Sequence, residues 1–376
     1  MRTNQEASAR LDASTIGHGP ALIGTKALRL TLRLLADRAQ VIIGQPLNGT
    51  SNAGAGDVGK IGNAVKNRIF NHLPPAMILM VLLFWAFGPA FLLNNPWTLV
   101  GTSSLITITI LLLEKAHERH AGWRMDRREF FTDLFYNVMS ATAIVWLTEK
   151  LAQDPLKAAK ASLGLTTEWA MHMPWLLQVA LVIFLIEFGQ YWMHRLMHNW
   201  APFWLTHAPH HHITQLNAGK GAVGNPIELF LISLSVVALF DLQDTAIFAA
   251  LNVLNVISTF AHANVRSDPP RWYAFFFTTI QNHSLHHSVD FESTRCNYGN
   301  SLILLDRIFG TYREGESALV GQDDRRRLSI WEQTIFPFQP MIDMIKGRRK
   351  NGSIGSALLA GGQPERDEPV GGAAAA

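Results

Sequence analysis

Two stretches of this chain, Pro75 to Leu93 and Trp97 to Leu113, carry no charged residue at all. Each is close to the roughly 20 residues that an α-helix needs to cross a hydrocarbon core of about 30 Å. Lipid tails offer no partner to a peptide N–H or C=O, so such runs must satisfy their backbone within themselves, as helices. Two further apolar runs follow: Phe131 to Leu147, with Asp133 near its start, and Trp175 to Met193, with Glu187 inside it. An acidic residue at that depth marks function or a watery cavity. Of the 376 residues 48% are hydrophobic and only 16% charged, which agrees with a membrane protein and not with two soluble domains.

A second pair of runs, Ile227 to Phe240 and Ile247 to Phe260, is joined by a turn holding Asp241 and Asp244. Each rises only about 21 Å as a helix, short of a comfortable crossing. They read either as a hairpin that dips in and returns, or as spans lengthened by flanking residues. The expected fold class is therefore all-α: a polytopic membrane protein with about four transmembrane helices, a short membrane hairpin, and a cytosolic helical cap carrying three histidine clusters.

Three regions are expected. Residues 1–70 are polar, and Lys26, Arg29, Arg33 and Asp37 recur there at helical spacing opposite Leu28, Leu32 and Leu35. That pattern suits an amphipathic helix on an anionic membrane surface or a solvated helical tail. Gly44 to Gly62 reads as a flexible linker, and nothing in the first 40 residues has the form of a cleavable signal. Residues 71–315 hold the membrane-embedded domain. Residues 316–376 are basic at first (Arg325, Arg326, Arg327, Arg348, Arg349), then rich in Gly and Ala, and are expected to be disordered from 351.

Orientation follows from where the cations fall. Lys60, Lys66 and Arg68 precede the first run, Asn94-Asn95-Pro96 is uncharged, and Lys115, Arg119, Arg124, Arg127 and Arg128 follow the second. Both termini and all three histidine clusters are then expected on the cytoplasmic side. A net charge of +3 gives no reason to expect nucleic acid. Cys296 is the single cysteine, which excludes an intramolecular disulfide and any cysteine-ligated zinc or iron–sulfur site.

Of the 15 histidines, eight fall in three short windows: His194-x-x-x-His198, His207-x-x-His210-His211 and His283-x-x-His286-His287. On a helix, positions i, i+3 and i+4 share a face with side chains about 5–6 Å apart, so neighbouring imidazoles can converge on an ion. Eight nitrogens exceed the four ligands of one tetrahedral zinc and suit two adjacent metals with positions left open. His18, His72, His117, His120 and His172 are scattered and receive no role. His212 follows the second cluster directly, as an extra ligand, a supporting residue or a surface residue.

These features resemble the fatty acid hydroxylase superfamily, which includes sterol desaturases, fatty acid hydroxylases and alkylglycerol monooxygenase. The likeness runs from roughly Glu118 to Tyr312. It includes Trp123-Arg124-x-x-Arg127-x-Glu129-Phe130-x-x-Asp133, the three histidine boxes, Leu216-Asn217, Asn225-Pro226-x-Glu228, His262-Ala263-Asn264, Asn297-Tyr298-Gly299 and Asp306 through Tyr312. The resemblance implies that His194, His198, His207, His210, His211, His283, His286 and His287 are metal ligands, with His262 a ninth. Two departures stand out. Many members have Arg-x-His-Pro where this chain has Val223-Gly224-Asn225-Pro226, so Asn225 stands in place of a histidine, and His212 stands where a serine is common.

The resemblance further implies a di-iron centre, with zinc as a possible substitute, and dioxygen as co-substrate for hydroxylation or desaturation of a membrane lipid such as a sterol, fatty acyl or ether lipid. Of the imidazole-binding metals weighed, iron and zinc, only iron has the redox change that oxygen activation needs. The chain has no dinucleotide fingerprint and no recognisable haem domain, so a separate electron donor of reductase, ferredoxin or cytochrome type is expected. Metal-bound imidazoles usually need a partner for their second nitrogen, and Glu187, Asn225, Asp290, Glu292, Asn297 and Asp306 are the candidates. Trp192, Trp200, Trp204, Trp272 and Tyr273 fall near the expected interface. The alternative to an enzyme is a membrane protein whose histidines bind zinc for stability or sensing.

Overall fold

The computed structural model describes residues 54–346. The expected amphipathic helix at Lys26 to Arg38 and the tail from 351 lie outside the described residues. Among those described there is no β-strand, only isolated bridges pairing Glu118 with Val265 and Ser288 with Val320. The protein is an all-α, polytopic membrane protein with five helices long and apolar enough to cross a bilayer: Gly62–Phe87, Trp97–Ala116, Arg127–Ser162, Trp175–Asn199 and Asp244–His262.

Helix α1 (Gly54–Phe87) begins inside the segment read as a linker and carries the first span. It ends earlier than the uncharged run suggests, because Pro89 has no N–H to extend the ladder and a short helix, Ala90–Leu93, restarts after it. Helix α2 (Trp97–Ala116) returns. Helix α3 (Arg127–Ser162) starts under an Asp126 cap that accepts the Glu129 N–H, and includes π-helical turns at Ser140–Ile144 and Glu149–Gln153. Helix α4 (Trp175–Asn199) is the fourth span, and α5 (Ala201–His211) follows after a single extended residue, Trp200.

The two members of the second apolar pair differ: Asp244–His262 is long and apolar enough to cross a bilayer, whereas Pro226–Leu239 is shorter and broken. Helix α6 (Pro226–Ser233) gives way to irregular backbone and then to a 3-10 turn at Val237–Leu239. Just beyond, the Asp241 carboxylate accepts from Lys160 and Thr167, and the Gln243 N–H donates to Gln178. Those partners stand at the far end of α3 and the start of α4, so the turn lies on the face opposite the histidines. Helix α7 (Asp244–His262) comes back over 19 residues, about 28 Å of rise. The apolar count undershot it because the first and last turns, Asp244–Thr245 and Ala261–His262, are helical although partly polar. The break after α6 keeps its polar groups partnered, as lipid demands: the Ser233 and Thr148 hydroxyls bond each other, and Gln153 reaches the Ser235 carbonyl.

Helices α4 and α7 therefore end on the same face. The loop after α2 meets the loop after α7 there, with the Arg119 N–H donating to the Asn264 carbonyl. On that face lies helix α8 (Ile280–His286), with His287 as its cap residue. Of the aromatics named above, Trp192, Trp200 and Trp272 are exposed, whereas Trp204 and Tyr273 are buried in the protein.

Candidate metal centre

Nine imidazoles meet where α4, α5, α7 and α8 converge. One group contains His194, His198, His207, His211 and His286, the other His210, His262, His283 and His287; within each, one nitrogen per ring lies within 4.8 Å of all the others, and every ring is buried. The helical repeat explains the partition. In α5, His207 and His211 (i, i+4) face the first group while His210 turns to the second. In α8, His283 and His287 (i, i+4) face the second group while His286 turns to the first. The groups adjoin: the His211 and His287 rings stack at 4.5 Å with 22° between planes.

Five rings have Nδ1 held by a fixed acceptor. His194 donates to the Tyr298 carbonyl (2.7 Å), His207 to Glu228 Oε1 (2.7 Å), His210 to the Val223 carbonyl (2.6 Å), His262 to the Ser258 carbonyl (2.9 Å) and His286 to the Cys296 carbonyl (2.8 Å). The Thr294 hydroxyl spends its proton on the Phe291 carbonyl and so accepts from His198 Nδ1 at 3.3 Å. With the proton on Nδ1, the lone pair sits on Nε2. His194 Nε2 and His207 Nε2 lie 2.9 Å apart, so that with Glu228 ionised both lone pairs face the same space, which a cation would fill. His198 Nε2 and His286 Nε2 are buried without a hydrogen-bond partner among the described residues. Burial holds His207 down to about 3 and keeps His211, His283, His286 and His287 well below the ordinary imidazole value, so these rings are neutral near pH 7, the form that binds metals. All-nitrogen donors, buried and free of sulfur, fit first-row divalent ions of the iron-to-zinc range.

The carboxylates and amides named from sequence do not touch the rings; they hold the backbone that does. Asp306 accepts the Tyr298 and Gly299 N–H groups at 2.7 Å each, and Glu187 Oε2 accepts those of Ser301 and Leu302. Asn297 has φ +52°, a left-handed conformation that asparagine tolerates, and its flanking residues Cys296 and Tyr298 aim their carbonyls at two different histidines. A Cβ at Gly299 would collide with the Leu302 carbonyl oxygen, so this loop accepts only glycine there. Asp290 caps the 3-10 turn Phe291–Thr294, while Glu292 is exposed and pairs with Arg295. Asn225 does not replace a histidine: its amide donates to the Gln333 and Thr334 carbonyls, and it caps α6 in a reciprocal box with Glu228. His212 joins neither group; its Nδ1 bonds the Ala208 carbonyl and its ring packs on Phe336.

The residue that sequence reasoning missed is Glu228, whose position beside His207 is set by the cap on α6. The signal was present in Asn225-Pro226-x-Glu228, which has the spacing of a capping box, but the spacing alone does not say that the other carboxylate oxygen faces a ring. Glu228→Gln is expected to leave the fold intact and to lower metal affinity by about 10- to 100-fold, measured by competition with a chromogenic chelator. An unchanged affinity would mean that the His207 contact is incidental.

Fold and site together define an integral membrane protein with two adjoining, buried, all-imidazole clusters at one end of its helices. Residues 179–311 match the family model described as fatty acid hydroxylase, so this part of the chain is similar to a fatty acid hydroxylase domain. Curated relatives agree. The chain is 26% identical over 220 residues to ornithine lipid hydroxylase OlsE of Rhizobium tropici (55% of this chain, 65% of that protein). It is 26% identical over 176 residues to the Delta(7)-sterol 5(6)-desaturase of Eremothecium gossypii (46% and 47%), and 27% identical over 140 residues to human alkylglycerol monooxygenase (36% and 31%). The matches thus span about one third to two thirds of these relatives. No solved structure matches.

Proposed function

We propose that this protein is an oxygen-dependent di-iron enzyme that hydroxylates or desaturates a C–H bond of a membrane lipid. The observation that carries the reading is the pair of buried nitrogen clusters, of five and four imidazoles, in each of which one nitrogen per ring lies within 4.8 Å of all the others. Three relatives whose names specify lipid hydroxylation, desaturation or monooxygenation support the lipid as substrate class. In this reading His194, His198, His207, His211 and His286 hold one iron and His210, His262, His283 and His287 the other. When bound, the pair supplies the redox change by which dioxygen is reduced and a C–H bond oxidised.

The chain's own groups do the rest. The Tyr298, Cys296, Val223 and Ser258 carbonyls and Glu228 hold each proton on Nδ1, fixing tautomer and ring direction before any ion arrives. Spans α4 and α7 deliver a bilayer-dissolved lipid to the clusters without passage through water. Cations on the histidine face, among them Lys115, Arg119, Arg124 and Arg266, support a cytoplasmic site by the positive-inside rule, where a separate electron donor has access. Lipid extracts of deletion and wild-type cells, compared by mass spectrometry, test the activity. The expected result is a species in wild type shifted by one oxygen or two hydrogens; identical lipidomes would count against it.

A further inference from the structure

Helices α4 and α7 approach the histidines in matching register. Glu187 and Gln190 precede His194 by seven and four residues, and Asn255 and Ser258 precede His262 by the same steps. At 1.5 Å per residue these side chains lie about 6 and 10 Å on the membrane side of the clusters. Between them is a cavity of about 260 Å³, whose wall also includes Asn137 of α3 and Asn300. One of its lining residues, Gly221, lies beside the histidines: an added Cβ there would stand 3.6 Å from the His262 ring.

A pocket for a bare hydrocarbon chain is lined by apolar side chains, and amides at this depth are costly unless they are partnered. Several partner within the protein: the Asn137 amide donates to the Asp133 and Gly219 carbonyls, and the Asn255 amide to the Ser103 carbonyl. Glu187 is different. Its Oε2 is taken by two backbone N–H groups, while Oε1, fully buried on the cavity wall, meets no donor in bonding geometry, the buried Ser301 hydroxyl beside the carboxylate being likewise unpaired. A buried carboxylate oxygen left without a donor forfeits a strong, charge-assisted bond.

We propose that this cavity is the lipid subsite and that Glu187 Oε1 accepts a hydrogen bond from a hydroxyl or amide N–H of the substrate. The substrate is then a lipid bearing such a donor within about 10 Å of the carbon that is oxidised, and not a plain hydrocarbon chain. The inference rests on the lipid-oxidising reading above, so its test reads binding and needs no turnover.

The full-length protein is reconstituted in phosphatidylcholine vesicles with a diazirine-bearing hexadecanol or the matching diazirine-bearing hexadecane at equal mole fraction. Photolabelling is then quantified on the α7 peptide containing Asn255 and Ser258. The alcohol is expected to label about tenfold more than the alkane, and Glu187→Gln, which turns an acceptor into a donor, is expected to remove that preference while alkane labelling stays the same. Equal labelling by the two probes in wild type, or a preserved preference in the variant, would overturn the proposal. Should Glu187→Gln unfold through its loop contacts, Asn255→Leu fills the cavity from α7 and leaves Glu187 in place; alcohol labelling that survives this change would also overturn it. Absence of oxygen consumption would sink the redox reading while leaving this measurement unaffected.

Discussion

His286→Ala is expected to bring lipid oxidation to background and to lower iron from two ions per chain to one or fewer, while His172→Ala changes neither. His286 is fully buried, its Nδ1 is anchored on the Cys296 carbonyl at 2.8 Å, and its Nε2 faces the first cluster without a partner. It belongs to α8 but joins the cluster built by α4 and α5, so its loss removes the one ring that α8 contributes to that group. His172, by contrast, is exposed on the opposite face. Iron analysis by mass spectrometry beside turnover separates a lost ligand from a lost fold: a His286→Ala protein with wild-type activity is incompatible with the assignment.

Lys220→Met is expected to destabilise the protein by about 3–5 kcal/mol, a large part of the 5–15 kcal/mol that typically holds a fold together. Lys220 is 1% exposed and its ammonium bridges Glu129 and Asp133, which leaves both carboxylates dependent on it deep in the structure. Arg327 supports Glu129 at 3.0 Å, and an Asn217 amide supports Asp133 at 3.0 Å, but neither amide nor distant guanidinium replaces the cation at Asp133. Methionine keeps the apolar stem and deletes the charge, so the cost is that of an uncompensated buried carboxylate. The triple variant Lys220→Met, Glu129→Gln, Asp133→Asn removes all three charges and is expected to recover most of the loss. Thermal unfolding of detergent-purified protein measures both; a midpoint for Lys220→Met equal to wild type would remove this ion cluster from the account.

The spans and the histidine groups were legible in the sequence for a physical reason. Lipid enforces a run length on a helix, and an i, i+4 pair of imidazoles records a face. What escaped were features whose cause lies in three dimensions. The hairpin arm ending at His262 looked short because Asp244, Thr245 and His262 count as polar, although all three lie within the helix. Asp290, Asn225, Glu187, Asn297 and Asp306 were chosen as acceptors for imidazole N–H groups because of their chemistry, yet backbone carbonyls of Tyr298, Cys296, Val223 and Ser258 occupy that role. A carbonyl leaves no mark in a sequence, since every residue has one. The trace that did exist was indirect: a glycine at 299 that tolerates no side chain, an asparagine at 297 suited to a left-handed turn, and an aspartate at 306 whose carboxylate closes the loop.

Glu228 shows the same lesson from the other direction. The capping-box spacing of Asn225-Pro226-x-Glu228 marks where α6 starts, and only the fold places α6 against α5 so that the cap residue's partner meets His207. Likewise nothing local to Lys220 shows its burial, which comes from Glu129 and Asp133 of α3, brought to it from some 90 residues away.

The most direct test of the central claim is X-ray absorption at the iron edge on protein purified from iron-supplied cells, combined with metal counting. Two irons per chain, each with nitrogen or oxygen neighbours only and an iron–iron scattering feature, is the predicted result. One zinc or a single isolated iron per chain, with no oxygen consumed when membrane lipid is supplied, would contradict it.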